Sequence, residues 1–501
     1  MSSNVLSAVP PSSVRPTGAY NFVELGKFLR LVVVWLALIF TPVWLVCWAV
    51  GEFVPEYLLP AMLPPATAAM TTEVLRAFVP VLAVMVFIPI NAMFMVLCER
   101  RALALFTVRK GPNRVGVNFP VIGWFLGDGM LQTAADAVKL LFKEDITPDG
   151  ADPIMFTLAP IIFFAPSIFG AIPLLAAATY NHPLFATAEL PTGIFYILAM
   201  ASIPVVALVM GGWSSNNKYS LVGGLRAGAQ AISYEIPLVL SLITMCYLMG
   251  TLNVSQIGMV QSVTSREEAV ALYQTQTMKP VDVFSAHPPV LAPQSPGILQ
   301  WNVFGNGHLD RIFSGDQPTQ GLAAILITVC SFLLLGIYMI GACAEINRIP
   351  FDLPEAESEL VSGYNTEYSG IKFAIFFLAE FTNLFIVATI ASVMFLGAGA
   401  SPIPYFFDAA FFQHEIFMRI GSVLSGAPEL ARFLGTLLNP VTLSAWFWLT
   451  VKVYSIVLLA ILVRGTLPRF RIDQLMDFGW KRLIPLSLFL FLACAFLKEM
   501  L

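Results

Sequence analysis

Long runs of apolar residues, separated by polar segments, dominate the chain. An α-helix needs about 20 largely apolar residues to cross a bilayer. Nine runs approach that length: 31–50, 78–98, 154–177, 193–212, 231–250, 322–344, 373–396, 441–463 and 484–497, the last being the shortest. None shows the alternation of a β-strand, which argues against a membrane barrel. The pattern predicts an all-α fold, a polytopic transmembrane helix bundle of about nine spans.

Prolines lie inside several of these runs. Each proline removes a backbone N–H and leaves a carbonyl that needs another partner inside the protein. The residues concerned are Pro160, Pro166, Pro173, Pro204 and Pro237. We therefore expect tilted, Pro-interrupted helices around a partly hydrated interior.

Segment 124–143 is too polar to span a membrane. Its polar residues recur every three or four positions, which places them on one helical stripe. They are Asp128, Gln132, Asp136, Lys139 and Lys143. Two interpretations follow: an amphipathic helix lying on the cytoplasmic membrane surface, or a stripe lining a polar cavity at the membrane edge.

Composition narrows the class of protein further. Of the 501 residues, 57% are hydrophobic and 12% are charged, about half the charge of a soluble domain. The net charge is −4 and no basic run exceeds two residues. These values exclude a soluble enzyme and a disordered chain, and they predict no nucleic-acid partner.

Positive charge predicts the orientation of the bundle. With the N-terminus in the cytoplasm, the predicted cytoplasmic segments hold 19 of the 27 basic residues and the outer segments hold seven. This asymmetry is typical of membrane proteins. Residues 1–30 then form a cytoplasmic tail rather than a signal peptide, since the first apolar run is long enough to span. Segment 251–321 becomes a long outer loop or small cap.

Cofactor-binding patterns are absent from the sequence. The six cysteines contain no CxxC and fit buried thiols, and none of the four histidines lies in a predicted span. A haem-bearing cytochrome b type protein is therefore excluded, and no P-loop, GxGxxG, cysteine cluster or metal site is recognisable. We expect no redox cofactor and no metal bound by this chain.

Four ionisable residues lie within or at the ends of predicted spans. They are Glu235, Glu345, Glu380 and Lys452. Charges inside a membrane are rare unless they are paired or functional. Counted from the helix ends, Glu380 and Lys452 could meet in a static ion pair. We favour a proton path, because carboxylates in a low-dielectric interior exchange protons near neutral pH.

An acidic segment, 345–368, connects two predicted spans. It carries Glu345, Asp352, Glu355, Glu357, Glu359 and Glu367 against Arg348 alone. If 354–362 is helical, Glu355 and Glu359 share a face and repel each other. A solvated loop is the simple interpretation. Because the segment is flanked by spans and apolar residues, we favour a carboxylate cluster at the mouth of a cavity.

A basic segment, 99–114, is its counterpart. Arg100, Arg101, Arg109, Lys110 and Arg114 follow directly on an apolar span. Ordinary anchoring by positive charge accounts for Arg101 and Lys110. Arg226 lies on another predicted cytoplasmic segment, two to three helical turns before Glu235.

Six segments resemble one known family. They are ERRALALFTVRKGPNRVG (99–116), LQTAADAVKLLFKE (131–144), GWSSNNKYSLVGGLRAGAQAISYE (212–235), AEINRIPFDLPEAESELVSGYNTEYSG (344–370), FLAEFTN (377–383) and RGTLPRFRIDQLM (464–476). Together they closely resemble the quinone-chamber membrane subunit of NADH:quinone oxidoreductase (respiratory complex I), which is subunit 1 in mitochondria. The departures are 1–77 with its extra span, the outer insertion around 255–320, and an enlarged loop at 397–440.

The resemblance implies a division into parts and a role. Residues 78–250 and 322–501 would form the family core, with 1–77 and 251–321 as additions. Family members form the membrane end of a quinone chamber and couple quinone reduction to proton translocation. Quinone would be the substrate, while FMN and iron–sulfur clusters would sit in partner subunits of the complex. The location implied is the bacterial inner membrane, as a multi-pass subunit with a cytoplasmic N-terminus.

The resemblance also implies roles for individual residues. The quinone chamber would include Glu99, Arg100, Arg109, Asp136, Arg226, Arg348, Phe351 and Asp352. The proton path would include Glu235, Glu345, Glu355, Glu357, Glu359, Glu380 and Lys452.

Two alternatives stay open. A membrane subunit of a hydrogenase or formate hydrogenlyase shares the fold and the acidic loop. A stand-alone ion-coupled transporter would explain the buried charges, but the sequence shows no inverted repeat.

Overall fold

The fold is known from a computed structural model. It describes residues 26, 30, 32, 34, 41–43, 45–51, 54, 64–107, 109, 111–112, 114–116, 129–178, 185, 188–261, 301–304, 318–355, 357–403 and 440–500. Among these residues the regular secondary structure is entirely helical, with no β-strand, and turns and loops connect the helices. The predicted all-α bundle is therefore confirmed.

Thirteen α-helices lie within the described part of the chain. They are α1 (Pro65–Phe106), α2 (Gln132–Phe142), α3 (Pro153–Gly170), α4 (Ile172–Ala178), α5 (Gly193–Ser214), α6 (Lys218–Met249), α7 (Val254–Val260), α8 (Pro318–Glu345), α9 (Glu357–Leu360), α10 (Gly370–Phe395), α11 (Pro440–Thr466), α12 (Ile472–Phe478) and α13 (Ile484–Met500). Short polar side chains begin several of them: Asp152 accepts a hydrogen bond from Ile154 N, and Asn217 accepts one from Tyr219 N.

Eight helical stretches within the described residues are long and apolar enough to cross a membrane. They match eight of the nine predicted runs. For the remaining run, 31–50, the described positions are helical, and Thr41–Gly51 forms a shorter apolar helix. Of the predicted outer segments 251–321 and 397–440, residues 262–300, 305–317 and 404–439 lie outside the described residues.

Prolines leave most helices continuous. Pro160 and Pro166 lie inside α3, Pro204 inside α5 and Pro237 inside α6. The helix breaks only at Ala171, where α3 ends and α4 begins just before Pro173. In these continuous helices the buried surroundings compensate for the hydrogen bond that each proline removes.

The helices pack as one bundle with two distinct ends. Within it, α3 contacts α5, α5 contacts α6 and α6 contacts α8, while α10 contacts α1, α3 and α11. Segments 99–116, 345–369 and 464–471 meet at one end, which we call the polar end. Segments 251–261, 301–304 and 396–403 meet at the other, which we call the opposite end. The predicted grouping of charged loops on one side is the grouping found at the polar end.

Candidate functional site at the polar end of the bundle

The centre of the polar end is a carboxylate held by two arginines. Glu99, near the end of α1, accepts a hydrogen bond from Arg348 (Nη1–Oε2 2.6 Å) and another from Arg464 on α11. Glu99 and Arg348 are both buried, and the Arg348 guanidinium stacks 4.2 Å from the centre of the Phe381 ring. A buried ion pair of this kind is stable because both charges are compensated.

A second ion pair adjoins the first. Arg469 binds Asp352 at 2.9 Å. Burial, and after it the charge of Glu355, raises the pKa of the Asp352 carboxyl to about 6, although Arg469 and Arg464 oppose this shift. Asp352 therefore changes its charge within the pH range in which an enzyme works.

Some buried polar atoms of these ion pairs make no hydrogen bond within the described part of the protein. Among the described residues, Arg348 Nε, Arg348 Nη2 and Asp352 Oδ1 lack a hydrogen-bond partner within the protein. Buried polar groups are normally satisfied by protein, water or ligand. These atoms therefore have hydrogen-bonding capacity that water or a bound molecule can use.

The loop that carries Arg348 and Asp352 is held in place by hydrogen bonds from α6. Gln230 Nε2 donates to the carbonyls of Ala344 and Phe351, both at 2.7 Å. The Phe351 ring lies between Tyr234 and Phe470, with centroids 5.6 and 5.7 Å away. An aromatic wall therefore stands beside the ion pairs.

A carboxyl pair continues from the site into the bundle. Glu355 and Glu380 are hydrogen-bonded to each other, Asn365 Nδ2 donates to Glu355 (2.6 Å), and the Tyr364 hydroxyl donates to Glu380 (2.7 Å). Burial, followed by repulsion from Glu380, raises the pKa of Glu355 well above its usual range. Two carboxyl groups in contact share a proton because both cannot stay ionised.

Close backbone packing places this pair. Gly363 has φ +58°, and a Cβ there would lie 1.6 Å from the carbonyl oxygen of Pro354. A Cβ at Gly223 on α6 would come within 2.7 Å of Tyr364 N. Only glycine fits at either position, so the acidic loop lies directly against α6.

Two more carboxylates, Glu235 and Glu345, interact with each other. Glu235 on α6 accepts a hydrogen bond from Ser202 on α5, and Glu345 is close enough to interact with its charge. Glu345 lines a cavity between α3, α5, α6, α8 and α10, together with Asn347 and Asn383. The described carboxylates of this region therefore form two interacting pairs, Glu355 with Glu380 and Glu345 with Glu235.

Other predicted residues lie at the rim. Arg226 pairs with Glu359 at 2.7 Å, and Glu359 is about half exposed. Arg109 is exposed in the turn that follows α1. Glu357 begins α9, which has only four residues. The condition that residues 354–362 form one helix is therefore not met. Glu355 turns inward and Glu359 outward, so the two do not share a face.

Helix α2 confirms part of the amphipathic prediction. Asp136 binds Arg100 at 2.6 Å and accepts a hydrogen bond from Gln132 at 3.3 Å. Leu141 and Phe142 are exposed on another side. The polar side of α2 thus faces α1, while its apolar side is free to contact lipid.

Lys452 does not join the carboxylates. Its ammonium donates to the carbonyls of Leu396, Ala398 and Ala400, at the opposite end of the bundle. Glu380 instead finds Tyr364 and Glu355. The ion pair considered between Lys452 and Glu380 is not formed in the structure.

Sequence reasoning missed four contributors to the site. They are Arg464, Arg469, Gln230 and Tyr364. The two arginines count only as positive charge near a membrane in such reasoning, although RGTLPRFR belongs to a matched segment. Nothing in the pattern distinguishes Gln230 or Tyr364 from other buried residues.

The fold and site define a polytopic α-helical membrane protein with a polar, ion-paired site at one end and two pairs of interacting carboxyl groups within the bundle. The chain belongs to the NADH dehydrogenase family, whose sequence profile matches residues 79–288 and 301–495. Similar proteins include the H subunit of NADH-quinone oxidoreductase from Bacillus cytotoxicus, 37% identical over 81% of this chain and 89% of the relative. The corresponding H subunits from Bacillus mycoides and Bacillus cereus are 36% identical over the same shares.

Proposed function

We propose that this chain is the membrane subunit of a proton-translocating NADH:quinone oxidoreductase that forms the membrane side of the quinone site. The observation that carries the proposal is the cluster of Glu99, Arg348 and Arg464, with unsatisfied buried polar atoms beside it. A quinone headgroup offers two carbonyl oxygens, which accept hydrogen bonds from guanidinium groups. Phe351 and Phe470 supply an apolar wall for the ring.

Proton coupling is the second half of the proposal. Reduction of a quinone to a quinol takes up two electrons and two protons, so charge changes at the site. Asp352 lies beside the site, and the shared-proton pair Glu355–Glu380 lies behind it. A change in charge at the site shifts the protonation of these carboxyl groups, and Glu345 and Glu235 extend the path into the bundle.

The partners follow from the chain's own chemistry. Electrons must reach the quinone from another subunit, since no redox cofactor signature occurs in this sequence. We place FMN and iron–sulfur clusters in those subunits. The names of the relatives favour a quinone-linked complex over a hydrogenase. Affinity purification from solubilised membranes, with identification of the co-purifying subunits, discriminates the two.

The orientation is part of the proposal. The polar end faces the cytoplasm of a bacterial inner membrane, in agreement with the distribution of basic residues. A cysteine introduced at Ser285, in the sequence segment expected outside, should react with an impermeant reagent added to whole cells. Reaction only after the cells are opened reverses the orientation.

A photoreactive quinone tests the site directly. In the purified complex we expect the label on segments 99–116, 345–369 or 464–471, and we expect excess unlabelled quinone to suppress it. Labelling of other segments, with the same suppression, places the quinone elsewhere and overturns the proposal.

A further inference from the structure

Lys452 lies in a cage of backbone carbonyls. Its Nζ donates to Leu396 O (2.6 Å), Ala398 O (2.9 Å) and Ala400 O (2.7 Å). An ammonium has three donors, and all three are used. The Trp301 ring closes a further side, with its centroid 4.0 Å from Nζ. The Lys452 ammonium therefore occupies the position that a bound cation would take in this cage.

Close packing shapes the cage. Gly397 has φ +73°, and a Cβ there would lie 2.4 Å from Trp301 Cδ1. A Cβ at Gly399 would lie 2.5 Å from Ala445 Cα. The loop after α10 can therefore approach both Trp301 and α11 only because these two positions lack side chains.

Two amides tie the cage to the rest of the opposite end. Gln261 Oε1 accepts hydrogen bonds from Asn302 N and Gly397 N, both at 3.0 Å, while its Nε2 donates to Val393 O at 2.9 Å. Asn302 Nδ2 donates to Met394 O at 2.6 Å. Segments 254–261, 301–304 and 393–400 are thus one connected layer with Lys452 at its centre.

The cage lies at membrane depth. Lys452 is nine residues from the start of the span Leu443–Thr466, about 13 Å along the helix at 1.5 Å per residue. Non-helical backbone is tolerated at this depth only where protein satisfies its polar groups. Lys452 does so for three carbonyls at the carboxyl end of α10, where a helix favours a cation.

A cavity within the bundle adjoins the cage. Next to the cage, Leu449, Thr450 and Val453 of α11 line a cavity that Thr389 of α10 also lines. Within the part of the chain that the structure describes, the partners of the Lys452 ammonium are carbonyl oxygens and no carboxylate contacts it. A fixed positive charge in a low-dielectric passage raises the barrier for protons and metal cations.

We propose that Lys452 seals the opposite end of the bundle: it fills a carbonyl cage that could otherwise hold a hydrated cation, and its charge repels protons and alkali cations. This role is independent of quinone binding. Its removal opens a leak that exists without turnover, which separates it from any effect on the quinone site.

The test uses the purified complex in proteoliposomes, with no NADH or quinone added. A pH gradient is imposed by an acid jump with potassium and valinomycin, which clamp the membrane potential, and its decay is followed with an internal pH dye. We expect Lys452→Met to accelerate the decay about tenfold, equivalent to roughly 1.4 kcal/mol of lost barrier. Retention of trapped calcein shows that the vesicles themselves are intact.

Lys498→Met is the matched control. Lys498 also donates to a backbone carbonyl, Tyr247 O at 2.5 Å, and lies 4.6 Å from an aromatic ring centroid, but it does so at a partly exposed helix end. Its vesicles should hold the gradient as the parent does. A Lys452→Met complex that holds the gradient equally well overturns the proposal, and so does an equal leak from both variants.

A second variant covers a failure of Lys452→Met to assemble. Trp301→Leu leaves the lysine in place but removes the ring that covers the ammonium. We expect a faster decay, smaller than that of Lys452→Met. If Lys452→Met yields no complex and Trp301→Leu holds the gradient like the parent, the lysine is a folding determinant and the seal is rejected.

Discussion

Glu99 and Arg348 form an ion pair of 2.6 Å in which neither side chain is more than 8% exposed. The pair joins α1 to the acidic loop, and Arg464 brings α11 to the same carboxylate. Three parts of the chain that are distant in sequence therefore converge on one group. The relationship makes Glu99 the most informative position to change.

Glu99→Gln should destabilise the subunit strongly. The substitution leaves Arg348 buried without its ion-pair partner, and loss of one partner from a buried pair costs about 3–5 kcal/mol. We expect less assembled complex and a lower thermal aggregation midpoint, measured by fluorescence-detected size-exclusion chromatography after heating. Asp477→Asn is the control, because its pair with Lys481 is exposed and contributes little. Equal midpoints for the two variants contradict the importance of the buried pair.

Asp352 should determine how the rate of quinone reduction falls at acidic pH, a decline that we call the acidic limb. Its raised pKa keeps the carboxyl neutral up to about pH 6 and ionised above it. If the ionised form holds Arg469 for quinone binding, NADH:quinone activity falls as the pH drops through about 6. Asp352→Asn should show low activity and no such limb. The measurement is activity across the acidic and neutral range, with NADH oxidation by an artificial acceptor as the reference. If the pH profile of Asp352→Asn shows the same decline at acidic pH, another group causes that decline.

Glu355 and Glu380 should behave as one unit. Because they share a proton, replacing either with glutamine removes the same titration, and replacing both adds little further loss. We expect Glu355→Gln and Glu380→Gln each to impair proton pumping, and the double variant to match the more severe single one. Pumping is followed as pH-gradient formation in membranes with matched subunit levels. If the loss of pumping in the double variant equals the product of the two single losses, Glu355 and Glu380 act independently.

Glu235→Gln should give an assembled complex with impaired quinone reduction and pumping. The amide keeps the shape and the contact with Ser202 but cannot release a proton. Glu235→Asp should be milder, since it retains the acid. The assay compares NADH:quinone activity and pH-gradient formation with those of the parent. A Gln variant that pumps normally makes Glu235 a structural residue.

Loss of Arg226 should affect quinone reduction more than stability. Arg226 pairs at the rim with a half-exposed Glu359, so Arg226→Ala should cost little stability, about 0–1 kcal/mol. If it orders the loops of the chamber, quinone reduction falls while NADH oxidation by an artificial acceptor persists. Equal loss of both activities indicates failed assembly instead.

The apolar pattern predicted most of the fold. Runs of about 20 apolar residues have few alternatives to a spanning helix, and charge asymmetry grouped the loops correctly at the polar end. The prolines predicted interrupted helices, but α3, α5 and α6 continue past the prolines that they contain. Whether such a helix breaks depends on its packing, and no single residue type determines that.

The site was predicted as a set of residues but not as an arrangement. Counting along the helices placed Lys452 and Glu380 at compatible depths, yet depth says nothing about the direction in which a side chain points. Spacing placed Glu355 and Glu359 on one face, but a loop that includes Val361 at φ +66° and Gly363 at φ +58° turns them apart. Such backbone conformations follow from contacts with α6, which lies far away in the sequence.

The three-way junction at Glu99 has a consequence for biogenesis. Arg348 follows Glu99 by 249 residues and Arg464 follows it by 365. At about 5–20 residues per second, the ribosome supplies the second arginine roughly 20–70 s after the carboxylate. Both counterions are missing only until Arg348 is made, and Arg464 is still missing for the last 116 residues of that interval. The junction is therefore completed only when α11 has been made, and a chain truncated between residues 348 and 464 keeps one arginine for Glu99 and lacks the other.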